Sequence, residues 1–249
     1  MRRYSTAAKR EKKMTANSYT VLNAMVDIVA APGKALDEIK THTYWLGWPL
    51  VITIALACGM FIYYYNWVDF PWLVEETIRQ VPAENRAESA DAIRQFMEPG
   101  RSTWTTVIAI VLITLIIYTI QASYLHLANK LITGAEIGFG QWFSFGVWTS
   151  FVGIFGSLSA FVMMYMADSN RLATYSLQPL SLNSLFIHAG PGEPLFTWAS
   201  SLTLLNFWTW ALMSIGYARW TGAEALKSTV IAVLPWVLIF GVWAAMATR

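Results

Sequence analysis

Residues 102–128 read STWTTVIAIVLITLIIYTIQASYLHLA. The run contains no Asp, Glu, Lys or Arg. A bilayer's hydrocarbon core is about 30 Å thick, and a helix rises about 1.5 Å per residue, so ~20 apolar residues suffice to cross it. Lipid offers the backbone no hydrogen-bond partner, which makes helix the required state. The apolar residues are continuous rather than alternating, which argues against a barrel strand. The run reads as a membrane-spanning helix.

Four further runs have the same character, at about 45–66, 142–166, 195–217 and 228–247, and none carries Asp, Glu, Lys or Arg. Only 13% of the 249 residues are charged, against 56% hydrophobic. Soluble domains carry roughly 25% charge, so this chain cannot cover a globule in water. An ordinary soluble enzyme, a disordered chain and a nucleic-acid binder are excluded on that ground. The single cysteine, Cys58, excludes an intrachain disulfide and a cysteine zinc cluster. The expected fold is an all-α integral membrane protein, a five-transmembrane-helix bundle over residues 45–249 with short amphipathic helices before it. Trp45, Trp48, Tyr63, Tyr64, Tyr65 and Trp67 flank the first run, as aromatic interface belts do.

Charge sets the expected orientation. The tail, the second loop and the fourth loop together hold eleven Lys and Arg, and the opposite side holds six. The positive-inside rule then puts the N-terminus in the cytoplasm and the C-terminus outside, in the periplasm for a bacterial inner membrane. The basic start lacks a nearby apolar stretch, so it is not read as a signal peptide. Residues 1–17 read as a basic disordered cytoplasmic tail. Residues 18–44 read as a cytoplasmic amphipathic segment, with Val21, Leu22, Met25, Ile28 and Val29 at helical spacing and a break at Pro32-Gly33. It suits either the membrane surface or the bundle's own cytoplasmic face.

Residues 67–101 hold seven acids against four arginines and predict two short helices broken at Pro82, an acidic cap outside the membrane. Glu75 with Arg79, and Arg94 with Glu98, have the i,i+4 spacing of helix ion pairs. Residues 167–194 are long and nearly uncharged, and are expected to fold back onto the bundle.

Thr133-Gly134-Ala135-Glu136 recurs as Thr221-Gly222-Ala223-Glu224, with Trp148 and Trp236 matching at the same offset. Each tetrapeptide fits a capping box, Thr133 with Glu136 and Thr221 with Glu224, starting the next helix. Helices two–three and four–five then form two similar hairpins in parallel orientation, an internal repeat of the transporter kind.

The spans hold no buried acid or base pair. That opposes a carboxylate relay or an intramembrane aspartyl protease. No catalytic residue, cofactor or metal ligand is expected. The chain has no P-loop, nucleophile elbow or His-Glu zinc motif. Met163, Met164 and Met166, with His188 and Met60, read as packing residues rather than soft-metal ligands. His126, near the cytoplasmic end of its span, has Lys130 one turn later. The pair is suited to a lipid headgroup or anion, or is simply an interfacial histidine beside a snorkelling lysine. Gln121, Asn206, Thr209 and Ser214 are the polar residues expected to line any cavity. Gly153 and Ser157 make a small-xxx-small pair for close approach, inside the bundle or in a homo-oligomer. Pro235 is expected to kink the last helix.

Several segments resemble the Yip domain family of Ypt/Rab-GTPase-interacting membrane proteins. They are Pro32 and Ile39 leading to Trp45 and Trp48-Pro49; His126-Leu127, Lys130-Leu131, Thr133-Gly134 and Phe139-Gly140-Gln141; and Leu180 through Leu185, Trp208 through Gly216 and Thr221 through Ala225. The likeness runs from about residue 20 to 246. It implies a five-helix bundle with a cytoplasmic N-terminal segment. Eukaryotic relatives act in Golgi and ER vesicle traffic, binding Rab-type GTPases and each other. The short basic tail here departs from their long Pro/Gln-rich one and is more similar to bacterial members, so Rab binding is not carried over. The expected function is non-enzymatic, a scaffold or a bundle that binds membrane lipids or a partner protein. The alternative is a transporter or channel for an ion, metal or small solute.

Overall fold

A computed structural model describes residues 19–248. The basic tail expected over residues 1–17 lies outside the described residues, as does Arg249. The described elements are helical, with one isolated antiparallel bridge between Ser181 and Thr203.

The described residues begin with a helix pair, α1 (Val21–Ala30) and α2 (Pro32–Thr41). Thr20 starts α1 through a reciprocal cap: the Asn23 N–H donates to Thr20 Oγ1, and the Thr20 N–H donates to Asn23 Oδ1 at 3.0 Å. Pro32 begins α2, where the missing N–H would be unpaired anyway. Ala24, Ile28, Ala35, Leu36 and Ile39 are fully buried within the main core. The pair therefore packs against the bundle, while Leu22 and Val26 on the other side of α1 stay exposed.

After a short 3₁₀ turn come α3 (Gly47–Trp67), α4 (Phe70–Gln80), α5 (Ala83–Phe96) and α6 (Pro99–Ala128). Then follow α7 (Phe139–Thr149), α8 (Ile154–Met166), α9 (Phe196–Ser201), α10 (Leu204–Thr221) and α11 (Ala225–Ala247). A 3₁₀ turn at Phe151–Gly153 joins α7 to α8. Four stretches are long and apolar enough to cross a membrane: Thr43–Trp67, Pro99–Thr133, Phe139–Met166 and Ala225–Ala247.

The run expected over 195–217 is not one helix. It divides into α9 and α10, and the backbone is extended between them at Leu202 and Thr203. Two hydrogen bonds hold the break open. The Leu182 N–H donates to the Leu202 carbonyl at 2.7 Å, and the Leu204 N–H donates to the Leu180 carbonyl at 3.0 Å. Asn206 Oδ1 then accepts from both the N–H and the hydroxyl of Thr203, restarting the helix.

The helices run between two ends. The proximal end carries α1, α2 and the turns after α6 and α10. There Lys40 Nζ donates to the Trp220 carbonyl at 2.7 Å, and Trp220 Nε1 donates to the Leu36 carbonyl at 2.8 Å. The distal end carries α4, α5 and residues 167–203. There the Asp69 N–H donates to the Asn170 carbonyl at 2.8 Å, and Tyr64 donates to the Leu172 carbonyl at 2.7 Å. Arg171 Nε donates to Asp69 Oδ2 at 2.9 Å, and that guanidinium holds the Asp69 carboxyl below its usual range. The segment 167–194 thus lies back on the bundle, with Leu177 buried.

Pro82 breaks the acidic cap as expected, but the ion pairs differ. Folding α5 back on α4 brings Arg94 onto both oxygens of Glu75, at 3.0 and 3.2 Å. Arg79 instead pairs with Glu76 at 2.8 Å. Helical spacing alone does not contain the first contact, because it crosses between two helices.

The two tetrapeptide repeats also act differently from expectation. They end helices rather than begin them. Gly134 has φ 69° and Gly222 has φ 73°, the left-handed conformation of a helix C-cap. Thr133 donates backwards to the Asn129 carbonyl, and Thr221 donates backwards to the Tyr217 carbonyl. Glu136 is exposed, and Glu224 makes no side-chain cap to α11. The left-handed conformation favours glycine, so the glycine, not the Thr–Glu spacing, sets the local structure.

A second local repeat is built on asparagine. Asn129-Lys-Leu-Ile-Thr-Gly-Ala135 and Asn183-Ser-Leu-Phe-Ile-His-Ala189 both form a π-turn closed by a left-handed residue, Gly134 and His188. Each asparagine Nδ2 donates to the alanine carbonyl six residues on, at 2.8 and 3.1 Å. The shared signal is an Asn, a Leu two residues later and an Ala at the sixth.

Candidate functional site

Two buried clusters leave a space between them. The proximal cluster centres on Trp142, Phe145, Trp148, Tyr217 and Trp220. The distal one centres on Met60, Tyr64, Leu73, Met164 and Leu177. Between them lies a cavity of about 490 Å³, lined from α3, α6, α8, α10 and the 167–194 segment. Small side chains make the void: Gly153 of the 3₁₀ turn and Gly156 and Ser157 of α8 form one wall. A Cβ added at Gly153 would touch nothing within 4 Å. The Gly153/Ser157 pair expected to draw helices together borders this space instead.

The cavity brings together Gln121, Asn206 and Thr209, which lie on two different helices. Ser214 is not in its wall and donates to the Trp210 carbonyl at 2.8 Å. Asn206 spends its Oδ1 on the cap of α10. Gln121 is 7% exposed, and among the described residues its carboxamide has one partner: Nε2 donates to the Met213 sulfur at 3.1 Å. The other face of the void is apolar, with Phe61, Ile117, Trp210 and Trp236. Among the described residues no Asp, Glu, Lys, Arg or His lines it.

A smaller, almost wholly apolar cavity of about 280 Å³ adjoins it, sharing Ile117, Gln121 and Trp236. It lies between α6 and α11, beside Pro235. Proline has no N–H, so the carbonyl of Ile231, four residues earlier, loses its helix partner. The Tyr124 hydroxyl donates to that carbonyl at 2.8 Å. The rescue comes from another helix and ties α6 to α11. Tyr124→Phe should cost about 1 kcal/mol in thermal or denaturant unfolding, and much less in a Pro235→Ala background, where the helix supplies its own N–H. Equal costs in both backgrounds would refute the link.

His126 and Lys130 lie apart from this space, at the proximal end. His126 meets the Phe139 ring edge-on at 6.5 Å, and its Nδ1 is buried without a partner among the described residues. Lys130 is exposed in the π-turn.

The sequence matches the Yip1 domain family model over residues 26–246, nearly the whole chain. The chain belongs to the Yip1 domain family. No curated protein and no solved structure matches it. The matched region of this Yip1 domain takes in both cavities and most of the proximal helix pair.

The Yip1 domain packs a layer of aromatic rings in its proximal core. Trp142 stacks on Tyr217 at 5.3 Å between centroids, and Phe145 meets Trp220 edge-on at 4.9 Å. Below this layer Arg219 holds Asp37 of α2 through two hydrogen bonds, Nε to Oδ1 at 2.9 Å and the second nitrogen to Oδ2. The guanidinium keeps the Asp37 carboxyl below its ordinary value. The cavity's volume is large enough to hold a guest.

Proposed function

We propose that this Yip1-domain membrane protein is a non-enzymatic, lipid-binding scaffold of the bacterial inner membrane. It crosses the bilayer five times, with the proximal end cytoplasmic and the C-terminus periplasmic. Two features support the fifth crossing. Helix α10 joins the distal segment at Thr203 to the proximal end at Trp220, as its neighbours do. Its 18 residues give about 27 Å, close to the hydrocarbon thickness. The concentration of Lys and Arg in the sequence before residue 45 supports the orientation.

The observation that carries the function is the chamber itself. Its 490 Å³ falls in the range of ligand pockets, roughly 300–1,000 Å³. Its wall is part apolar and part hydrogen-bonding, and its neighbour opens between two lipid-facing helices. A lipid fits that description better than an ion. The transporter reading draws on the same cavity reaching Gln121 and Asn206, but no Asp, Glu, Lys, Arg or His lines that cavity among the described residues.

The test is lipid retention. Purified protein, stripped of loosely held lipid by extended detergent washing, should keep about one lipid per chain by mass spectrometry. A lipid-free, folded chain would end this reading. Protein-dependent solute uptake into proteoliposomes would establish the transporter instead.

A further inference from the structure

We propose that the guest is an uncharged amphiphile, its hydrogen-bonding head set against Gln121 and Thr209 and its apolar tail leaving sideways between α6 and α11. This rests on the lipid-binding reading and names the class of lipid.

The head site follows from Gln121. An amide buried in a membrane without partners is costly, because no water is present to satisfy it. A carboxamide has two N–H donors and an oxygen with two acceptor sites. The only partner of the Gln121 side chain among the described residues is a thioether sulfur, a weak acceptor. Its Oε1 lies against Gly146, where an added Cβ would sit 3.4 Å away. Most of its hydrogen-bonding capacity is therefore unspent, and the side chain is in the cavity wall. Thr209 adds a hydroxyl to the same wall.

The charge of the head follows from what surrounds it. No cation lines the cavity among the described residues, so an ionised phosphate would be desolvated without a counter-ion. No acid is there to receive an ammonium. A hydroxyl, ester or keto group needs only donors and acceptors, and finds them.

The tail's path follows from the second cavity. It shares Ile117, Gln121 and Trp236 with the first, and its wall is nearly free of polar atoms. Its rim residues Ile120 and Ile239 are 63% and 57% exposed, on helices that face hydrocarbon. The occupant of a cleft open to hydrocarbon is an acyl chain. Tyr124 meanwhile occupies the one backbone carbonyl that Pro235 would otherwise leave bare along that path.

The experiment uses the full chain in nanodiscs of dioleoylphosphatidylglycerol containing a minor fraction of dioleoylglycerol, released for native mass spectrometry. Dioleoylglycerol should be the retained adduct, enriched above its share of the disc. Gln121→Leu and the near-isosteric Thr209→Val should each cut that enrichment about five- to tenfold, the worth of roughly one hydrogen bond. Both variants are first checked for an unchanged thermal midpoint, and Thr209→Val serves if Gln121→Leu does not fold. A photoreactive diacylglycerol should label α6 and α11 near Ile117, Ile120 and Trp236. Retention of phosphatidylglycerol in place of the neutral lipid would overturn this inference while leaving lipid binding intact. Retention of the neutral lipid at the same level in both variants would overturn the assignment of the head site. Retention of neither lipid would remove the lipid-binding reading as well.

Discussion

Gly216→Val should leave no folded protein to purify, and Gly216→Ala should lower stability by more than about 3 kcal/mol. A Cβ at this position would lie 2.3 Å from Phe145 Cε2, 2.9 Å from Cζ and 3.1 Å from Leu36 Cδ2. None of these can retreat cheaply. Phe145 is fully buried, with Trp142 and Trp220 centred 5.4 and 4.9 Å away. Leu36 is fully buried as well. Overpacking a close-packed core costs about 1–3 kcal/mol where neighbours adjust, and more where they cannot. Total stabilities are about 5–15 kcal/mol, so valine exceeds what the fold can absorb. Gly241 supplies the control. It lies on α11 with nothing within 4 Å of its added Cβ, so Gly241→Ala should be neutral or slightly stabilising. Thermal unfolding in detergent, followed by size exclusion, reads both. Matching midpoints for the two alanine variants would refute the close approach of α10 to α7.

Trp220→Ala should cost about 3–5 kcal/mol and free the N-terminal helix pair. The indole is 2% exposed and does two things at once. It fills space beside Phe145 and Trp142, and its Nε1 donates to Leu36 in α2. Its own carbonyl accepts from Lys40. Losing the ring therefore loosens α2 from α10 along with the core. Limited trypsin digestion should show new cleavage at Lys34 and Lys40 in the variant. Trp104, which is 66% exposed, gives the contrast: Trp104→Ala should leave the digestion pattern and midpoint unchanged. Protection of Lys34 and Lys40 in Trp220→Ala would show that the pair is held by something else.

What the amino-acid string reveals of this fold depends on how local each cause is. Four spans are legible because charge is missing over twenty or more consecutive residues. The two-helix cap is legible because Pro82 acts where it stands. The break between α9 and α10 is not, because the groups that hold it, Leu180 and Leu182, are some twenty residues upstream in a loop. Thr133 and Thr221 match the Thr-x-x-Glu signal of a helix start. The glycine after each threonine carried the opposing signal, a helix end, and the left-handed turn wins. Arg94 meeting Glu75 needed knowledge of how α5 folds back. The site is legible by half. Polar Gln121, Asn206 and Thr209 stand out against apolar neighbours, but a void is a property of several helices together. Its cause, small residues at Gly153, Gly156 and Ser157 that the facing helices do not fill, has no signature in one chain segment.

The bond from Trp220 to Leu36 spans 184 residues. At synthesis rates of about 5–20 residues per second, the first helices wait roughly 10–40 s before their partner exists. During that interval Ile28, Leu36 and Ile39 lack the α10 part of the core they enter. The nearest shelter is the membrane surface, where an amphipathic helix lies flat with its apolar side down. The opening pair thus has two successive homes, first the lipid and then the bundle. Its arrival beneath α10 is the step that completes the proximal core.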